Sequence, residues 1–145
     1  MYICDISWDE ILNIWQNNLW PNRTSPIKTH SAMMHLGGYD MGNYNLPVFF
    51  IGYFVNNKLV GTNSYHYCTD NSLRIRGLWV HDDFRKQGIA SNLIKYVIEH
   101  KDQSSYIWAY PRRTSLNIFN NLGFVQTSDW QISETSEANA YCRLG

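Results

Sequence analysis

The chain has little charge and no surplus of either sign. Only 17% of its 145 residues are Asp, Glu, Lys or Arg, and twelve basic groups cancel twelve acidic ones. No global field is available to hold nucleic acid or a membrane surface, so any anion must be gripped locally. Cysteine is equally scarce. Cys4, Cys68 and Cys142 are widely spaced, odd in number, and form neither a Cys-x-x-Cys pair nor a set with His at ligand spacing. They read as reduced thiols of an intracellular protein. His30 and His35 are five apart and do not share a helical face as a metal pair would, so no zinc or iron site is expected. No apolar run reaches the roughly 18 residues of a membrane span. The opening MYICDISWDE has no basic segment followed by an apolar one. These absences predict a cytoplasmic protein without a membrane partner.

What is abundant is aromatic surface, with six Trp and ten Tyr. A chain of this length fits one domain over residues 1–145 and buries about 68–70% of its unfolded surface. Tyr2 to Ile6 suits an opening strand, and Ser7 or Asp9 can cap a helix carrying Ile11, Leu12, Trp15 and Leu19, ended by Pro21. Residues 22–47 have little periodicity and read as a long lid, with a possible short helix over Ser31 to Leu36. Val48 to Val55 is an apolar run suited to a central strand buried on both faces. Asn56-Asn57 turns it into Lys58 to Cys68, and Thr69 to Ser72 turns that into Leu73 to Val80. A helix follows from Ile89 to about Lys101, then a short strand Tyr106 to Ala109. Thr114 can cap a second helix that Gly123 closes. Phe124 to Thr127 and Ala138 to Leu144 read as final strands. The order predicts an α+β fold: a mixed, mostly antiparallel central sheet of about six to seven strands flanked by helices.

Between the third strand and the first long helix stands Arg85-Lys86-Gln87-Gly88-Ile89-Ala90. Basic residues and a glycine in a tight turn, followed by a helix N-terminus, make a cradle for phosphate. Together with RGLWVHDDFRKQGIASNLI around it, the segment SYIWAYP and the later TSLNIFNNLGF, this turn resembles the GNAT superfamily of acyl-CoA-dependent N-acyltransferases. The family's turn, Arg/Gln-x-x-Gly-x-Gly/Ala, is matched by Arg85, Gly88 and Ala90, and its closing Leu-Gly-Phe by Leu122-Gly123-Phe124.

The resemblance implies acetyl-CoA as the cofactor. Amides from Gln87 through Gly88, Ile89 and Ala90 to Ser91 would hold the pyrophosphate, with Arg85 and Lys86 adding charge and His81 nearby. Backbone groups of Leu78, Trp79 and Val80 would pair with the pantetheine arm, and Asn117 and Phe119 complete the cofactor set. An amide at Leu78 would donate to the thioester carbonyl and steady the oxyanion that forms when an amine attacks.

Two positions depart from the family. Relatives often carry an acid Tyr four residues before the Gly of the Gly-Phe pair, where this chain has Phe119, and a Glu base where it has Arg74. Tyr110 is the substitute acid, or else a rim aromatic; His66 is the candidate base, or else a packed strand residue. Period-two alternation places Arg74, Arg76 and Leu78 on one face and Leu73, Ile75, Gly77 and Trp79 on the other. Either the two arginines draw an acceptor bearing a carboxylate or phosphate, or they face solvent. Tyr39, Asp40 and Tyr44 are the lid's acceptor-selecting candidates. The implied function is acetyl transfer to a primary amine of a small molecule or peptide, by a monomer or homodimer. The alternative is a silent acyl-CoA-binding module; modification of a nucleic-acid base or a tRNA-linked substrate is disfavoured by the zero net charge.

Overall fold

The computed structural model describes residues 1–102, 104, 106–132 and 138–145. Strands β1 (Tyr2–Asp5), β2 (Val48–Val55), β3 (Lys58–Tyr67), β4 (Leu73–Val80), β5 (Ile107–Ala109), β6 (Val125–Gln126) and β9 (Cys142–Leu144) form one sheet, ordered β1-β2-β3-β4-β5-β9-β6. A small second sheet pairs β7 (Gln131–Ile132) with β8 (Ala138–Asn139). Among the paired strands only β4 and β5 run parallel, and α2 (Ile89–His100) makes the crossover between them. Asn56 and Asn57 both adopt positive φ, 49° and 63°, which the tight β2–β3 hairpin requires.

α2 buries Ile89, Leu93, Ile94 and Val97 against one sheet face, where Ile51, Tyr53, Leu73, Ile75 and Ile107 complete the main core. α1 (Trp8–Ile14) covers the opposite face. Ser7 accepts from the Glu10 amide while the Glu10 carboxylate accepts from the Ser7 amide, a reciprocal cap that fixes the helix start. A π-helical turn, Trp15–Leu19, extends it and sinks Trp15 completely. α3 (Arg113–Asn121) ends in a Schellman turn: Gly123, at φ 97°, donates to the Asn120 carbonyl, and Phe124 donates to that of Phe119. Among the described residues no helix is long and apolar enough to cross a membrane.

Several expectations need correction. Ser31 to Leu36 is not helical. Met33 instead bridges Tyr39 in an antiparallel pair, and the helical piece of this region is a 3-10 turn, Met41–Asn45, capped by Asp40. β2 is second from the sheet edge and only half-buried at several positions, with Phe49 39% exposed, because β4 holds the centre. The cap of α3 is Arg112 rather than Thr114, and no side chain bonds there. The segment from Ala138 to Leu144 breaks into two strands that join different sheets.

The alternation read along β4 also fails, at Gly77. Thr62 and Ser64, two apart on β3, face Trp79 and Arg76, three apart on β4, so β4 carries a bulge. Gly77 sits at φ 78°, with Trp15 packed where a Cβ would stand. Beyond the bulge the phase inverts. Leu78 and Val80 join Leu73 and Ile75 on the α2 face, and Trp79 falls with Arg74 and Arg76 on the α1 face. An isolated Gly inside a strand pattern is the sequence signal for such a bulge.

Candidate active site

The turn after β4 is built to present amides. Lys86 and Gly88 both lie in the left-handed region, φ 62° and 80°, on either side of Gln87, which curls the backbone into a concavity. α2 then starts with no side-chain cap, so its first amides have no partner from a capping side chain. A Cβ at Gly88 would meet nothing within 4 Å, so the concavity is open on that side. Arg85 is less free than its charge suggests. Its guanidinium pairs with Asp82 at 3.0 Å, and its Nε donates to the Val80 carbonyl. His81 Nδ1 accepts from the Asp83 amide and caps the 3-10 turn Asp82–Phe84.

β4 and β5 part beside this turn. Their register ends at Arg74↔Trp108, and β4 continues from Ile75 to Val80 without a β5 partner. The bulge removes Leu78 from the β3 register as well, so Leu78 is matched on neither side. The Gly77 carbonyl is already taken by Trp15 Nε1 at 3.0 Å and Thr62 Oγ1 at 3.2 Å. Asn117 is exposed on α3. Phe119 is a core residue, 2% exposed and packed edge-on against Phe124 at 5.2 Å, where it supplies the apolar contact that accompanies the Schellman turn.

His66 is fully buried on the α1 face, and both its nitrogens are engaged. Nε2 accepts from the Ser31 amide at 3.3 Å, leaving Nδ1–H to donate to the Tyr67 carbonyl at 3.1 Å. Burial pushes its pKa down to about 3, with Arg74 and Arg76 adding to the shift. A neutral imidazole with no free lone pair cannot act as the base. The alternative of a packed strand residue describes it.

Tyr110 follows β5 where the strands part. Its hydroxyl donates to Gln131 at 3.1 Å and its ring packs on Tyr141 at 4.4 Å. Burial raises its pKa, so the phenol keeps its proton at neutral pH. Of the lid candidates, Tyr44 and Tyr39 line one cavity of about 310 Å³ together with Arg23, Lys28 and Arg76. Asp40 has a structural task, accepting from Thr69 Oγ1 at 2.7 Å and from the Gly42 amide. These hydrogen bonds hold its carboxyl below the usual carboxylate range.

Arg74 and Arg76 do not face solvent. They are 8% and 7% exposed and lie over indole rings, Arg74 on Trp108 at 4.9 Å and Arg76 on Trp15 and Trp20 at 5.0 and 5.2 Å. Sequence reasoning missed these aromatic supports, as well as Arg23 and Lys28. The indoles come from two segments remote from β4 in sequence, residues 15–20 and β5, which no local pattern connects.

Solved structures of similar fold include acetyltransferases. ElaA from Escherichia coli aligns with a TM-score of 0.72 at 12% identity, covering 99% of each chain. An aminoglycoside 6'-N-acetyltransferase complexed with coenzyme A aligns at 0.68 and 11%, over 99% of this chain and 96% of that one. A ribosomal-protein-alanine N-acetyltransferase from Brucella melitensis aligns at 0.68 and 15%, over 99% of each. No curated protein sequence matches. The model of the acetyltransferase (GNAT) family matches residues 8–124, most of the chain and every element around the turn and the splayed strands, and the protein therefore belongs to that family.

Proposed function

We propose that the protein is an N-acetyltransferase that moves the acetyl group of acetyl-CoA to a primary amine of a small molecule or peptide, with both substrates bound at once. The observation that carries this reading is the left-handed pair Lys86 and Gly88 opening an uncapped α2 beside the unpaired edge of β4. Amides from Gln87 to Ser91 hold the pyrophosphate, and Lys86 contributes charge; Arg85 is partly neutralised by Asp82. Leu78, Trp79 and Val80 offer the strand edge to the pantetheine arm, with Asn117 on the α3 side.

Bound acetyl-CoA would supply the acetyl group as a thioester: an N–C bond to the acceptor replaces the C–S bond, the amine's proton passes to water, and the leaving thiolate takes a proton from Tyr110 Oη, which water restores. The Leu78 amide donates to the carbonyl oxygen, a kind of contact worth about 2.7–4 kcal/mol. Tyr110 Oη, kept protonated by burial, is the chain's proton source. With His66 committed to Ser31 and Tyr67, the acceptor amine loses its proton to water.

Release of free coenzyme A thiol from acetyl-CoA, followed over a panel of amines, tests the reading. Thiol release that depends on one class of amine supports it. Tight coenzyme A binding with no release from any amine would leave the silent acyl-CoA-binding module instead.

A further inference from the structure

Arg74 and Arg76 are two buried cations, neighbours on one face of β4. Arg74 Nε and Nη1 are buried with no hydrogen-bond partner. Arg76 Nη1 donates to the Lys28 carbonyl at 2.8 Å, which accounts for only part of its capacity. Among the described residues neither guanidinium has a carboxylate within 4.0 Å; the ion pairs there are His81 with Asp83 and Arg85 with Asp82. Desolvation lowers both pKa values, to about 10 for Arg74 and about 9 for Arg76, and Arg74 adds repulsion to Arg76. Both remain charged at neutral pH.

Packing alone does not require this. A buried ion without a counterion is destabilising relative to an apolar residue of similar volume. The indole faces relieve some of the cost and hold the guanidinium planes in place. The adjoining cavity of about 310 Å³ is lined by Arg23, Lys28 and Arg76 and by no acidic residue. It has the size of a small-metabolite site, at the low end of roughly 300–1,000 Å³.

We propose that Arg74 and Arg76 are the receptor for a carboxylate of the acceptor, so that the amine acetylated belongs to a small amino-acid-like molecule rather than to a polyamine, an aminoglycoside or a basic protein side chain. The inference rests on the transferase reading of the same cleft. Arg76 and Leu78 are two residues apart on one strand, so their Cα atoms are at most about 7 Å apart. In this proposal one small acceptor spans the Arg76 guanidinium and the carbonyl that Leu78 addresses. A polycation entering the same cavity would meet Arg23, Lys28 and Arg76 with no carboxylate among the lining residues to offset them, and the charge of Arg74 lies two residues along the strand.

The test compares thiol release for each common amino acid, its carboxamide, an aminophosphonate, spermidine and an aminoglycoside. The expected result is that at least one amino acid exceeds its own carboxamide by about tenfold or more in kcat/KM. Arg74→Gln and Arg76→Gln should each raise KM for that acid while the carboxamide's rate holds. Ligand-free Arg74→Met should melt at or above the wild-type temperature, since it removes an uncompensated charge. Carboxamides or polycations used as well as acids, preference for the phosphonate, or an Arg74→Met variant that unfolds would each overturn the proposal. If no amine releases thiol, the transferase reading fails by itself. The receptor is then judged by whether amino acids raise the melting temperature of the wild type and not of Arg74→Gln.

Discussion

At the scale of single residues, the departures at Phe119 and His66 have structural reasons. Phe119 closes the α3 terminus against Phe124, a place where a hydroxyl would be buried in the core. His66 joins the lid to the sheet by accepting from Ser31 across 35 positions of sequence. Its folded pKa, about 3, lies below the ordinary 6.5, so the unfolded chain binds the proton first as pH falls. The stability His66 contributes is fully present above pH 6.5 and is lost as pH drops from 6.5 toward 3, at about 1.4 kcal/mol per pH unit for one proton. Denaturant midpoints across that window should show this slope in the wild type and a shallower one in His66→Gln. Equal slopes would mean that another group carries the acid sensitivity.

At the scale of elements, the proposed function depends on two places where regular pairing is interrupted. The Gly77 bulge reverses the facing of β4, bringing Trp79 to the side of the arginines and freeing Leu78 from its β3 register. The loop at Lys86 and Gly88 turns the chain so that α2 begins with its amides open. Gly88→Asp introduces a side chain at φ 80°, costing about 1–2 kcal/mol of backbone strain, and a negative charge within the concavity. Coenzyme A binding measured by calorimetry should be lost while the circular dichroism of the fold is retained. Unchanged affinity would place the pyrophosphate elsewhere.

At the scale of the molecule, residues 22–47 are fastened over the α1 face by polar ties as well as by apolar contacts of Ile27, Met33 and Met34. Asn43, fully buried, donates to the Ser31 carbonyl at 3.0 Å and accepts from the Thr69 amide at 2.9 Å. Asp40 reaches Thr69, and Arg76 reaches the Lys28 carbonyl. Asn43→Ala leaves two backbone groups without that partner and should cost about 2 kcal/mol or more. Because the proposed cofactor turn lies on other elements, KM for the acceptor should rise with coenzyme A affinity unchanged. Equal loss of both would show that the cleft is a single cooperative unit.

The sequence by itself determined the order of the main strands and helices, the α+β class, the hairpin at Asn56-Asn57 and the family, because each depends on local signals: apolar periodicity, turn residues and a short motif between a strand and a helix. It also marked Arg74 and Arg76 as charges on a strand. Only the tertiary structure decided that they are buried on Trp108, Trp15 and Trp20, that His66 has no free nitrogen, and that Leu78 faces away from Arg76. Burial, partnership and facing are set by segments remote in sequence and by a one-residue bulge, and period-two reading cannot carry through such a bulge.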